Sequence, residues 1–450
     1  MDEENRYPIT VLGLGLVGTA ASAHINDNLA EFFKCADCVC AGKPQFETFD
    51  AAIPAAAERL QVGPDMAVLI ARLRERQASG KRILALTGGD PLFFGLGATL
   101  SRHFAPKDLL IYPAVSSMQE ACSRLALPWD NMRFVSLHGR LKNHASPWLE
   151  LARASLSEKP VCLLLDASVQ ISLVASFLLE RGRTACTMHY FRGLIKMRDS
   201  GLAHCEDLAL AGAETSLEQH FSLRPEEAAR FPPGFSMLPS LLILVPDKGA
   251  RPPRPYLGMP DEAFESHNGL ITKQPVRAAI LAALRLRPDS LLLDLGAGSG
   301  SVALEALALL PEGGAYAVER DPQRVRQIQN NRMRHGAASL EIIQGDSLLL
   351  TGQPDFKLKA DRIFIGGGLD KGMRLLRQAW HLLPPGGRLV ISCVLLGTLE
   401  RTRRLLEELG AEPEITAIQA ARAAKLAGDL QLKACNQVFI VAADKPAANG

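Results

Sequence analysis

The sequence predicts an α/β chain of two domains, each built on a parallel sheet with helices on both faces. Three observations predict it. Short apolar runs alternate with helical stretches through most of the 450 residues. A proline- and glycine-rich break, Pro246–Gly269, separates two apolar-rich regions. On each side of the break an apolar strand runs into a glycine turn and a helix start. The length agrees, because 450 residues exceed what one hydrophobic core organises. The division expected is a domain over 1–245, a linker over 246–268 and a second domain over 269–450.

Composition narrows the class. The chain is 47% apolar and 22% charged, with a net charge of +2, so no strong field steers it to nucleic acid or a membrane. The opening MDEENRYP has no apolar signal core, and runs such as Leu241–Val245 are too short to span a bilayer. Nine cysteines sit mostly in apolar segments, which suits reduced thiols in a cytoplasmic protein. Cys35, Cys38 and Cys40 form C-x-x-C-x-C, but no second pair completes a tetrahedral set, so no metal site is expected. Cys38–Ala41 reads instead as a core strand.

Taken in order, strands are expected at Pro8–Leu12, Cys38–Ala41, Arg82–Leu86, Leu109–Tyr112 and Val161–Leu165. After the break, a helix near Lys273–Leu286 leads into strands at Ser290–Leu295, Ala315–Glu319, Leu340–Gln344, Arg362–Ile365 and Arg388–Ser392. The first of these ends in Asp294 and turns through Gly296, Ala297, Gly298, Ser299 and Gly300. Ser301 stands where a dinucleotide fingerprint has its third glycine. The next strand ends in Glu319, placed to accept hydrogen bonds from two ribose hydroxyls, and the third ends beside Asp346 and Ser347. A backbone cradle, a ribose acceptor and a polar rim suit an adenosine joined to a small zwitterion, as in S-adenosylmethionine (SAM). Gly366–Gly368 ends a fourth strand and leaves room for something broad. Thr272 has the look of a helix N-cap before Gln274.

From Leu257 onward the chain resembles the C-terminal half of the decarboxylating precorrin-6Y C-5,15-methyltransferase family. The resemblance rests on LGMPDEAFESHNGLITKQPVRA, DLGAGSGSVALE, IFIGGG and GGRLVISCVLLGTLE. It implies a Rossmann-like class I SAM methyltransferase fold. It also implies that Thr272 and Gly296–Gly300 hold the cofactor, with Glu319 at its ribose and Ser347 by its adenine.

The N-terminal half opens with Gly13, Gly15 and Gly18 in G-x-G-x-x-G, the dinucleotide pattern. The second strand runs out at Gly42 and Lys43 with no acid for a ribose, so the pattern is half complete. A second glycine turn, Gly88-Gly89-Asp90-Pro91, reads as a helix start with Asp90 as cap and Pro91 at the first helical position. GGDPLFFGLG, PAVSSMQEACSRL and SLHGR resemble the tetrapyrrole methylase family, which binds SAM between two α/β lobes. The resemblance implies that Gly13, Gly15, Gly89, Asp90, Pro91 and Ser117 line a SAM cleft. Leu16 stands where that family usually has proline.

Together the halves imply one SAM per half, methylation of C-5 and C-15 of a precorrin and loss of carbon dioxide from its ring-C acetate. Both resemblances imply a homo-oligomer. His138 and Lys273 are the candidate proton donors for decarboxylation. Arg124, Arg140, Arg277 and Arg422 are the candidate forks for substrate carboxylates, with Gly367 giving room for the ring. Two rival readings are a nicotinamide oxidoreductase and an RNA or small-molecule methyltransferase with a non-catalytic N-terminal module. The missing ribose acid weighs against the first, and the near-neutral charge against RNA.

Overall fold

Five short strands between Ile9 and Tyr112, four of them apolar runs, pair into a parallel sheet in a computed structural model of the chain. The structure describes residues 7–15, 29–137, 146–165, 169–192, 219–231, 240–249, 253–269, 271–356, 358–369, 372–426 and 428–447. Contacts divide the chain into two units. The first holds Met1–His144, Lys159–Val174 and Cys186–Pro246; the second holds Ala145–Glu158, Ala175–Ala185 and Asp247–Gly450. Two segments of the first half therefore count with the second unit, against the boundary expected from sequence. Within that unit Arg181 is buried and forks onto Glu341 at 2.7 and 2.8 Å.

In the first unit, β1 (Ile9–Gly13), β2 (Cys38–Ala41), β3 (Glu58–Gln61), β4 (Ile83–Thr87) and β5 (Leu109–Tyr112) run in the order β3-β2-β4-β1-β5. Ile9, Val11 and Leu73 belong to a core on one face, Leu12, Leu86 and Phe33 to one on the other. Burial on both faces explains the continuous apolar runs. Cys38 and Cys40 lie wholly inside, and burial pushes their thiols up to about 11 and about 12. They are core residues, as their strand pattern suggests.

The second sheet corrects an expectation. β6 (Arg133–Ser136), β7 (Val161–Leu165), β8 (Cys186–Arg192), β9 (Gln219–Leu223) and β10 (Ser240–Pro246) run in the order β6-β7-β10-β8-β9. Only β6 and β7 pair in parallel, and every other pair is antiparallel. β10 is inserted between β7 and β8, running opposite to both. A strand such as β10, buried from Ser240 to Leu244, gives no sequence sign of its direction.

The second unit carries a seven-stranded sheet. Its strands are β11 (Leu291–Leu295), β12 (Gly314–Glu319), β13 (Leu340–Gln344), β14 (Arg362–Ile365), β15 (Arg388–Cys393), β16 (Glu414–Ile418) and β19 (Val438–Asp444), ordered β13-β12-β11-β14-β15-β19-β16. β11 to β15 are parallel, and β19 runs against its neighbours. The order reverses between β12 and β14, around β11, the switch where open α/β sheets take ligands. β17 (Ala421–Leu426) and β18 (Asp429–Ala434) form a separate antiparallel ribbon.

The segment expected as a linker is core in part. Met259 and Phe264 are buried in the cluster that covers one face of this sheet. No helix among the described residues is long and apolar enough to cross a membrane.

Candidate functional site: two glycine cradles

The N-terminal cradle forms because β1 and β4 are neighbours and both end in glycine turns. Gly15 and Gly89 make an antiparallel bridge, with Gly89 N–H donating to the Gly15 carbonyl at 3.2 Å and Gly15 N–H to the Gly89 carbonyl at 3.4 Å. A cavity of about 660 Å³ opens there. Gly15, Gly89, Asp90 and Ser117 line it from the first sheet, and Leu164, Leu165, Phe191, Ser240 and Leu241 from the second. Gly13 and Pro91 are not among its lining residues. A Cβ on Gly13 would come 2.7 Å from Pro91 Cδ, so this glycine lets the two turns pack together.

Asp90 and Pro91 do not start a helix. Residues 91–95 form turns, and the helix begins at Leu96. Asp90 instead accepts from the Leu92 and Phe93 amides at 2.8 and 3.1 Å and, with its other oxygen, from Ala114 N–H at 3.3 Å. It staples the β4 turn to the β5 turn. The helix that begins beside the cavity is Ser117–Arg124, capped by Ser116 and Gln119 in a reciprocal box. Gln45 also lines the cavity, and so does Ser240, whose buried hydroxyl has no hydrogen-bond partner among the described residues. Sequence reasoning missed both, for neither sits in a glycine motif. Leu16, Gly18, His138 and Arg140 lie outside the described residues. Arg124 is bonded to Glu120 at 2.8 and 2.9 Å and is not among the lining residues.

The C-terminal cradle is held by its own backbone. Gly296 and Ala297 donate to the Val318 carbonyl at 2.9 and 3.0 Å, tying the turn after β11 to β12. Glu319 accepts from Gly298 N–H at 2.8 Å and from the Arg320 and Asp321 amides at 2.9 and 3.0 Å. It is buried, and with Oε1 taken by two amides and Oε2 by one, Oε2 keeps a lone pair for a hydroxyl donor. Gly298 has φ +60°, and a Cβ there would meet nothing within 4 Å. Asp346 caps the helix Ser347–Thr351, accepting from Leu348 and Leu349 amides at 2.9 and 3.3 Å, which sets Ser347 at its first position.

Asp294, the first residue of the glycine motif, is buried under this turn with neither oxygen in a hydrogen bond of good geometry. Burial pushes its carboxyl up to about 7, with the Ala303 amide opposing and the Glu319 charge adding to the rise. The open space at Gly298, the oriented Glu319 and the buried Asp294 carboxyl fit a group with a ribose hydroxyl and a cationic end. The sequence marked Asp294 as part of the motif but gave it no task.

Of two carboxylate forks expected from sequence in this half, Arg277 is corrected. Arg277 is 0% exposed. It donates to Glu305 at 2.5 Å, Asp261 at 3.2 Å, the Thr272 carbonyl at 2.7 Å and the Met259 carbonyl. Its donors are spent inside the protein, so it clamps the Thr272 segment to the helix carrying Glu305 and cannot reach a substrate. Arg422 stands 2.9 Å from Asp261 and keeps partial exposure. Thr272 is not the N-cap: Lys273 takes that position, and Asp261 accepts the Gln274 amide at 2.9 Å. The Lys273 ammonium donates to the Gly269 carbonyl at 3.1 Å. Gly367 lies beside the cradle, its carbonyl 3.6 Å from where a Gly296 Cβ would stand.

Fold and sites define the class: a SAM-dependent methyltransferase that joins a tetrapyrrole methylase domain to a Rossmann-like one. The model for tetrapyrrole (corrin/porphyrin) methylases matches residues 18–192, and that for the precorrin methyltransferase domain matches 262–445. A precorrin-6Y C(5,15)-methyltransferase [decarboxylating] of Sinorhizobium sp is 30% identical over 86% of this chain and 84% of its own. One of the same description from Mycobacterium tuberculosis is 30% identical over 90% and 92%. A cobalt-precorrin-6B C(15)-methyltransferase (decarboxylating) of Salmonella typhimurium is 34% identical over 42% of this chain and 96% of its own. The chain belongs to the precorrin-6Y C(5,15)-methyltransferase (decarboxylating) family.

Proposed function

We propose that this chain methylates C-5 and C-15 of precorrin-6B and decarboxylates its ring-C acetate, binding one SAM in each half. The observation that carries the reading is the presence of two separate glycine cradles, one in each unit. The N-terminal half takes C-5. The C-terminal half takes C-15 and the decarboxylation, in keeping with a relative named for C(15) alone that aligns with 42% of this chain.

When bound, SAM supplies an electrophilic methyl group on a sulfonium. The protein aligns the acceptor carbon with it and keeps water away. In the C-terminal half the backbone of Gly296–Gly300 would hold the methionyl part, with Asp294 on the side of its ammonium. Glu319 would accept from a ribose hydroxyl, and Asp346 and Ser347 would border the base. In the N-terminal half Gly15, Gly89, Asp90 and Ser117 would hold the equivalent group, with Gly13 and Pro91 shaping the turn behind them. Each meso C–H that becomes C–CH3 releases a proton. Decarboxylation consumes one at the macrocycle, and Lys273 and His138 are the candidate donors. Arg140 and Arg422 remain the candidate partners for substrate carboxylates. The same reading makes the enzyme a cytoplasmic homo-oligomer.

The test is mass spectrometry of precorrin-6B incubated with SAM and the protein. Two methyl gains with one loss of carbon dioxide support the reading; no methyl gain on metal-free or cobalt-containing substrate sinks it.

A further inference from the structure

The carboxyl edge of the seven-stranded sheet carries a feature that the cofactor residues leave unused. β15 is buried almost throughout and ends at Cys393. The next three residues, Val394, Leu395 and Leu396, are 55%, 69% and 69% exposed. Single exposed leucines are ordinary, but three large apolar side chains in succession at a ligand-binding sheet edge are not. The helix Leu396–Glu408 is anchored through Thr402, Leu405 and Leu406, with Leu399 packed at the margin of the core, which leaves Leu396 and Gly397 outside it.

The position of this run relates it to the cradle. β14 and β15 pair in parallel, so their ends lie side by side. β14 runs into Gly366–Gly368, and Ser392 Oγ donates to the Gly366 carbonyl at 3.4 Å. On its other side that glycine turn abuts Gly296 of the cradle. A Cβ on Gly367 or Gly368 would meet nothing within 4 Å, so the space over the turn is open. Cradle, glycine turn and leucine run thus follow one another along one edge. Arg401, in the next turn of the helix, reaches back over Gly397 and donates to Thr398 Oγ1 at 3.3 Å.

We propose that Val394–Leu396 is an apolar shelf that takes one face of the tetrapyrrole ring in the C-terminal reaction, with Arg401 meeting a carboxylate arm at its rim. The proposal rests on the precorrin reading above. A methyl acceptor must come up to the cofactor from the adjoining part of the edge, which is the β14–β15 part. A conjugated ring offers apolar faces and a polyanionic rim, and an exposed apolar run with one arginine beside it matches both. A second copy of this chain is the rival occupant.

The experiment uses the full chain carrying Leu395→Ser and Leu396→Ser, with precorrin-6B and SAM. The expected result is a rise of about ten-fold in the KM for precorrin-6B in carbon dioxide release, as partial loss of two leucine contacts implies. The KM for SAM stays within about two-fold, because the cofactor contacts are separate. C-5 methylation is unaltered, and the Leu395→Met, Leu396→Met variant behaves as the wild type. An unchanged KM for precorrin-6B overturns the proposal, as does an equal loss of SAM affinity. Unchanged KM with a smaller mass in light scattering assigns the run to a second copy instead. Failure of the wild type itself to turn over precorrin-6B is a different outcome, which refutes the functional reading.

Discussion

Glu319 does two things at once in the C-terminal cradle: it fixes the turn through Gly298 N–H and leaves one lone pair of Oε2 open. A carboxylate held by three amides is already oriented before anything binds. Glu319→Gln retains the shape but not the charge, and hydrogen bonds to charged groups contribute about 1.5–3 kcal/mol. Calorimetry should therefore show SAM binding to the C-terminal half weakened roughly ten- to hundred-fold. Unchanged affinity would remove Glu319 from the ribose. Asp294 gives a pH prediction. Its carboxyl rises from 3.8 to about 7 on burial, so between those values the folded chain keeps a proton that the unfolded chain has released. Stability therefore falls as pH rises through this window and levels off above about 7. Asp294→Asn removes that loss. Its melting temperature, relative to wild type, should climb from pH 4 toward 7 and then stay level; a constant gap across the range would contradict the assignment.

At the scale of elements, the Arg277 clamp shows why the cradle is approached by a fixed segment. Helix Gln274–Leu284, the Met259–Asp261 stretch and Glu305 meet at one buried guanidinium. Arg277→Met leaves two carboxylates without their buried partner, a loss of about 3–5 kcal/mol for a broken internal pair. Urea unfolding of the C-terminal half should register it. A change below about 1 kcal/mol, the range of an exposed pair, would show that the cluster is solvated. The elements here were largely legible in the sequence. Leu340–Gln344 and Arg362–Ile365 have the bounds that their apolar runs imply, since each run is stopped by a charged residue or a glycine. The Arg277 clamp was not legible, because an arginine in an amphipathic helix looks the same whether it meets water or a carboxylate from elsewhere in the chain. Asp90-Pro91 misled for a related reason. A cap signal is local, and here the same carboxylate is taken by Ala114 N–H, 24 residues away.

At the scale of the whole molecule, two turns of similar sequence stand on different sheets. One follows an all-parallel sheet and faces a mixed one across a cavity; the other sits at the reversal point of a seven-stranded sheet. The glycine patterns made both turns visible, and the absence of an acid after β2 separated the first from a dinucleotide site. Strand direction in the second sheet and the place of Ser240 in the cavity wall were not visible, since both depend on how distant segments pair. The central claim is that each turn serves its own methylation. Gly298→Asp tests it most directly, for a side chain there enters open space in the cradle at φ +60° and sets a second negative charge beside Glu319. Mass spectrometry of precorrin-6B treated with SAM and this full-length variant should show a single methyl gain and no loss of carbon dioxide. Two methyl gains, or none, would contradict the account.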